Sequence, residues 1–197
     1  IQPFLKHLEP GSDAFPLERP AKELEARLGE LSSAFRAGAS QTASVTKGLL
    51  DSGFRGARLL PVEGARTSQA PLEIDRAKDL PGDLTLDARS FGAELQRLVS
   101  DLRRVTVAEL LITAIENEGP ADPVSAVRTT VRYDIVGSGA TAYRVEHVGA
   151  WEIGWRRNAS GWQVVRWTAL SHLVSRARTP IFAEITDSAL GKNDSFK

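Results

Sequence analysis

The sequence predicts an α+β fold built on an antiparallel sheet. Two segments in the first half repeat apolar residues at helical spacing. Four long segments in the second half alternate apolar with polar residues, and short turns marked by Gly, Asn or Pro join them. The length of 197 residues suits one domain of ordinary size with some tail.

The elements follow in order. Residues 1–19 read as an arm, because Pro3, Pro10, Gly11 and Pro16 interrupt every helix there. Phe4, Leu5, Leu8 and Phe15 give that arm apolar anchors. Pro20 suits a first helical turn, and Leu24, Leu28, Leu31 and Phe35 then fall on one face up to Gly38. A weaker helix over 40–50 buries Val45, Leu49 and Leu50, and a short strand follows over 54–61. Residues 62–86 read as a long excursion with a short strand near Leu72 to Ile74, and loops of that length usually serve a function. Asp87 is a fitting N-cap for a helix striped by Phe91, Leu95, Leu98 and Leu102.

Sheet occupies the rest. Strands are expected over Val105–Glu116, Val127–Val136, Tyr143–Arg156 and Trp162–Val174, with Gly137-Ser138-Gly139 and Asn158–Gly161 as turns. Centring the first hairpin on Gly139 sets Asp134 opposite Arg144 and Arg132 opposite Glu146. Centring the second on Ala159 sets Glu152 opposite Arg166 and Arg156 opposite Trp162. One face is then charged. The other collects Tyr133, Tyr143, Val145, His147, Trp151, Ile153, Trp155, Val165, Trp167, Ser171 and Leu173, and the striped helices should cover it.

This order of elements over residues 20–178 resembles the nuclear-transport-factor-2-like, or SnoaL-like, α+β cone. The resemblance implies a cone-shaped antiparallel sheet of four long strands plus a short one, packed on two to three N-terminal helices, with a pocket at the open end. The family includes isomerases, cyclases, dehydratases and domains without chemistry, so the fold does not choose an activity. A second resemblance lies in the tail. Pro180-Ile181-Phe182-Ala183-Glu184-Ile185-Thr186-Asp187-Ser188-Ala189-Leu190-Gly191 is similar to the segment leading into the propeller of bacterial FG-GAP-repeat proteins with an ASPIC/UnbV domain, themselves similar to cartilage acidic protein. The stretches Phe4–Gly11 and Phe54–Pro61 resemble the region before that propeller. The family's Asp-rich calcium repeats have no counterpart here. The resemblance therefore implies a C-terminal propeller neighbour and an extracytoplasmic place, periplasmic or secreted, with residues 179–197 as tail or linker. The lack of Met, initiator included, is read as the mark of a piece of a longer reading frame.

Composition narrows the chemistry. The chain has no Cys, which removes disulfides, thiolate metal sites and cysteine nucleophiles. With 25 Lys+Arg against 25 Asp+Glu, nothing suggests a bulk electrostatic grip on nucleic acid. No apolar run approaches the roughly 18 residues of a membrane span. The three His are far apart and the acidic positions dispersed, so neither metal nor cofactor is expected.

His147 heads the candidates. It reads either as a general base or ligand donor in the pocket, with Tyr133, Trp151, Trp167 and Ser171 around it, or as a core imidazole satisfied by Ser171 or a backbone carbonyl. Glu109 is the one carboxylate expected within reach, and His172 is assigned to the charged face. Trp151, Trp155 and Trp167 read as core or as a stacking platform. Arg132, Arg144, Glu146, Glu152 and Arg166, with Trp162, read as a solvated sheet side or as a surface for a homodimer or a neighbouring domain. Trp162 also reads as a place for carbohydrate or peptide. The missing acid–base constellation favours a non-catalytic interaction module of a larger exported protein. The rival is a small-molecule enzyme or binder, isomerase- or cyclase-like, using the cone pocket.

Overall fold

A computed structural model describes residues 15–61, 64–120 and 123–180. Residues 1–14 of the expected arm and 181–197 of the expected tail lie outside the described residues, and with them both stretches that resemble the flanks of a propeller, Phe54–Pro61 apart. The fold is an α+β cone: three helices lie on the inner face of one curled, largely antiparallel sheet.

Helix α1 (Glu18–Ala37) buries the expected stripe of Leu24, Leu28, Leu31 and Phe35, and Gly38 ends it at φ 107°, a backbone state that favours Gly. Helix α2 (Ala39–Leu49) buries Thr42, Thr46 and Leu49, while Val45 is only half-buried. Strand β1 (Leu50–Gly56) begins earlier than expected and runs parallel to the last strand. The excursion holds a hairpin, β2 (Gly64–Gln69) and β3 (Leu72–Ala77), of which only the second strand was foreseen. Helix α3 (Ala88–Leu98) starts where Asp87 accepts a 2.8 Å bond from the Ser90 N–H, and it buries Phe91, Leu95 and Leu98. No helix of the described residues is long and apolar enough to cross a membrane.

Four long strands complete the sheet: β4 (Leu102–Asn117), β5 (Ala126–Gly139), β6 (Arg144–Asn158) and β7 (Gly161–Ala177). The order is β2-β3-β7-β6-β5-β4, with β1 and β3 sharing one edge of β7. Tyr133, Trp151, Trp155 and Trp167 are fully buried against the helices. Removing one such Trp ring would cost about 3–5 kcal/mol.

The register corrects the expectation in three places. Gly137-Ser138-Gly139 is strand, paired with β4, and the turn comes after it, between Gly139 and Arg144. Gly is needed at 137 because a Cβ there would sit 2.0 Å from the Arg104 carbonyl oxygen. The later turn moves the pairing, so Asp134 faces Val148, Arg132 faces Ala150, Glu146 faces Val136 and Arg144 faces Ala177 on β7. The shift is even, so the side chains within β5 and β6 keep their predicted side of the sheet.

In the last hairpin, Asn158 pairs with Gly161, which sets Arg157 rather than Arg156 opposite Trp162, with the guanidinium 5.7 Å from the ring centre. Bulges then add Val165 and Leu170 to β7, and each reverses the inward–outward alternation. Trp162 and His172 therefore point inward and are buried, while Ser171 points outward and Val165 and Leu173 are half-buried on the outer side. Tyr143, in the turn, is exposed. Trp162 is a core residue whose Nε1 donates to Glu23 on α1 at 2.8 Å. Glu152 faces Thr168, yet it still meets Arg166 diagonally at 3.5 Å, in a surface network with Arg128, Glu116 and Glu118.

Candidate functional site

At one end of the cone lies a cavity of about 690 Å³, within the usual range for small-molecule sites. Leu60 and Pro61, Asp75, Leu98, Asp101, His147, His172 and Arg176 are among the residues that line it. Four elements bring these groups together, and each does so for a local reason.

The wall near Leu60 is fixed by Glu94 of α3. Its buried carboxylate accepts from the backbone N–H groups of Leu59 and Leu60 at 3.1 and 3.4 Å, and meets Arg97 at 3.3 Å. Past α3 the chain turns tightly, with Leu102 N–H donating to the Val99 carbonyl, and this turn carries Asp101 to the rim. The Asp101 carbonyl accepts from Ala140 N–H at 3.2 Å, which ties the turn to the end of the β5–β6 hairpin. His147 stands on the inner face of β6, as parity predicted, and is 3% exposed.

His147 Nε2 is 2.8 Å from Asp101 Oδ1. The other carboxylate oxygen, Oδ2, accepts from Arg176 at 3.3 Å, and Arg176 also bonds Asp75 of β3. Burial pushes the Asp101 carboxyl up, but the bond and charge of His147 and the charge of Arg176 outweigh it and hold the group below its ordinary value. An ionised carboxylate only accepts, so the imidazole proton must lie on Nε2. In the neutral imidazole that leaves Nδ1 with the lone pair. Of the buried side-chain polar atoms without a partner among the described residues, His147 Nδ1 alone belongs to a cavity-lining side chain.

A second imidazole sits beside the first. His172 lies 5.6 Å from His147, ring centre to ring centre, and its Nδ1 is 2.7 Å from the Tyr133 hydroxyl. That hydroxyl has one proton to give, and the Ser171 carbonyl is more distant at 3.4 Å. The carbonyl only accepts, so the hydroxyl is its donor, and the direction of the bond between the hydroxyl and His172 Nδ1 follows the imidazole tautomer. Burial first, then the charges of His147 and Arg176, outweigh the Asp101 carboxylate and push the His172 pKa down to about 4, and burial raises the Tyr133 hydroxyl above the ordinary phenol range. Both groups are neutral at neutral pH.

A pH dependence of stability follows. Between pH 6.5 and about 4 the unfolded chain binds a proton on His172 that the folded chain refuses. Stability is therefore full above pH 6.5 and falls as the pH drops through that window. The loss should approach about 3 kcal/mol by pH 4. Urea unfolding across this range should show the slope, and His172→Asn should flatten it.

Of the six residues that the sequence assigned to the pocket, His147 alone lines the cavity. Tyr133 stands just behind it through His172, stacked on Trp151 at 4.1 Å, and Trp167 meets Trp151 edge-on at 5.1 Å. These rings back the site without filling it. Glu109 is exposed on the outer face opposite Asp134, because its strand parity turns it away from the helices. Ser171 offers only its backbone carbonyl. Arg132, Arg144, Glu146, Glu152 and Arg166 lie on the outer face and take no part. The sequence reading passed over Asp101 and Arg176 and placed His172 on the wrong face. Asp101 and His147 lie 46 positions apart, and no local pattern links them.

No family model and no curated protein matches the chain. Solved structures do, at low identity. A candidate scytalone dehydratase from Novosphingobium aromaticivorans is similar at 10% identity over 86% of this chain and 98% of its own, with a TM-score of 0.56. A hexachlorocyclohexane dehydrochlorinase is similar at 8% identity over 85% of this chain and 97% of its own, with a TM-score of 0.53. At these identities the likeness shows the α+β cone fold alone and leaves the chemistry to the side chains.

Proposed function

We propose that the chain is an enzyme of small organic molecules in which His147 removes a proton from carbon and a neighbouring group leaves. The observation that carries this reading is the His147–Asp101 pair on the wall of a cavity of about 690 Å³. Asp101, held in turn by Arg176, orients the imidazole and balances the charge it gains. The Nδ1 lone pair, buried in this structure, takes the proton once a ligand parts the side chains over it. The C–H electron pair becomes a double bond to the adjacent carbon, and the bond to the leaving group breaks. In its Nε2–H tautomer His172 donates a hydrogen bond to the departing hydroxyl or halide. The proton on His147 then leaves with it as water or hydrogen halide, so the balance closes without a cofactor. Among the described residues no Ser is bonded to either imidazole, which sets this site apart from a nucleophilic one. The two similar structures bear the names of a dehydratase and a dehydrochlorinase, the same class of step.

The test is proton exchange in heavy water. The chain is incubated with a panel of small compounds that carry an acidified C–H and a hydroxyl or halide on the next carbon, and deuterium at carbon is followed by NMR together with alkene formation. Exchange or elimination with some member supports the reading. Binding with neither opposes it.

A second reading keeps the chain as an interaction module of a larger exported bacterial protein with a C-terminal propeller. The likeness of residues 180–191 to a propeller-leading segment favours it. The codons that follow Lys197 decide it: a propeller sequence supports it, and a stop codon or an unrelated domain removes it. An extracytoplasmic place goes with that reading and shares its fate. The two readings are compatible, since a module of a larger protein can carry its own pocket.

A further inference from the structure

The charged residues of the cavity wall do not balance. Arg76, Arg97 and Arg176 line it against Asp75 and Asp101. One cation takes up both carboxylates: Arg176 meets Asp75 through Nη1 and Asp101 through Nη2. Arg76 is exposed and makes no ion pair among the described residues. Arg97 is anchored from behind. Its Nη1 meets Glu94 at 3.3 Å, and Glu94 is 5% exposed, with its other oxygen held by the N–H groups of Leu59 and Leu60. That contact fixes beside Leu60 the end of a side chain that is otherwise 62% exposed. The Nη2 and Nε donors of Arg97 have no partner among the described residues. A guanidinium stays charged at any working pH, so the cavity wall carries a held cation with one donor edge to spare. Leu60, Pro61 and Leu98 give the same wall an apolar part.

We propose that the substrates of this cavity are small organic acids, whose carboxylate binds the spare edge of Arg97 while the reacting C–H faces His147. A guanidinium edge matches a carboxylate with two parallel N–H···O bonds, and a single cation suits one negative charge better than a phosphate dianion. The carbon chain of such an acid lies against Leu60, Pro61 and Leu98. Arg176, bonded to both Asp75 and Asp101, offsets much of their repulsion for the anion. This substrate class rests on the reading of the cavity as a site of proton removal, but binding is measured apart from turnover, so the two can fail separately.

Calorimetric titration of the full 197-residue chain tests it. The probes are β-hydroxy ketones that carry a carboxylate at increasing distance from the ketone, each beside its methyl ester. At least one acid should bind at least about tenfold more tightly than its ester, as a charge-assisted bond supplies. Arg97→Gln should remove this preference and leave the affinity for esters unchanged, which also shows that the variant is folded. Arg97→Lys keeps the charge without the fork and should keep part of the preference. Arg58→Gln removes an exposed charge near Leu60 but outside the cavity lining, and should keep all of it. Acids that bind no better than their esters, or no binding by any acid of the series, overturn the proposal. A preference that survives Arg97→Gln, or that Arg58→Gln abolishes equally, overturns it as well. Acid binding through Arg97 without exchange at carbon would support the acid site and oppose proton removal, and exchange of neutral compounds with no preference for acids would do the reverse.

Discussion

His147→Gln should reduce exchange and elimination by about 10²- to 10⁴-fold, the range a positioned base supplies. The expectation is selective. A Gln amide can still donate to Asp101 Oδ1, so the rim of the cavity keeps its bond, while no atom of that side chain can hold a proton taken from carbon. Stability should change little, within about 1 kcal/mol, because the substitution is near in size and leaves the Asp101–Arg176 contact in place. Compounds of the panel should still bind. Turnover that survives this change would show that His147 orients a ligand or packs the wall without acting as base.

Gly149→Ala should be severely damaging for a change that adds only a methyl group. Gly149 lies on the inner face of β6 between His147 and Trp151. A Cβ there would come 2.2 Å from the Ser171 carbonyl oxygen and 2.4 Å from the Tyr133 hydroxyl. The first of these is backbone of the paired strand and has nowhere to move, and the second is held on Trp151 and His172. Overpacking of this kind costs typically about 1–3 kcal/mol. The cost should appear as a lower midpoint in chemical denaturation. The same displacement should break the Tyr133–His172 bond, so exchange should fall even at temperatures where the variant stays folded. An unchanged midpoint would mean that the strands here can part more easily than their pairing implies.

Legibility in the sequence divided along a physical line. The stripes of α1 and α3 were readable because helical spacing is local, and both are buried as expected save Leu102, which opens β4 and is half-buried. The facing of β5 and β6 was readable because a register error of even size leaves parity intact, so His147 fell on the inner face although none of its strand partners was foreseen. What failed was β7. Bulges at Val165 and Leu170 reverse parity twice, and nothing in that stretch announces an extra residue. His172 and Ser171 were misplaced for that reason, and Trp162 because the hairpin before it pairs Asn158 with Gly161, one residue off the expected pairing. Gly137-Ser138-Gly139 looked like a turn because turn chemistry and close strand approach select the same residue. The partner carboxylate was out of reach for a different reason. Asp101 reaches His147 through a helix, a tight turn and a strand pairing, and Arg176 reaches Asp101 only once β7 is placed. The sequence reading looked for a pocket acid on a strand and settled on Glu109, whereas the structure supplies one from a turn.

The central claim is that Asp101 and His147 act together on a proton of a bound molecule. Deuterium incorporation at carbon measures this most directly, with wild type, His147→Gln and Asp101→Asn run side by side on the same panel. The account predicts exchange by the wild type, its near loss in His147→Gln, and a clear decrease in Asp101→Asn, where the imidazole loses the carboxylate that orients it. Binding of panel members with no exchange by the wild type, or equal exchange by all three proteins, would contradict it.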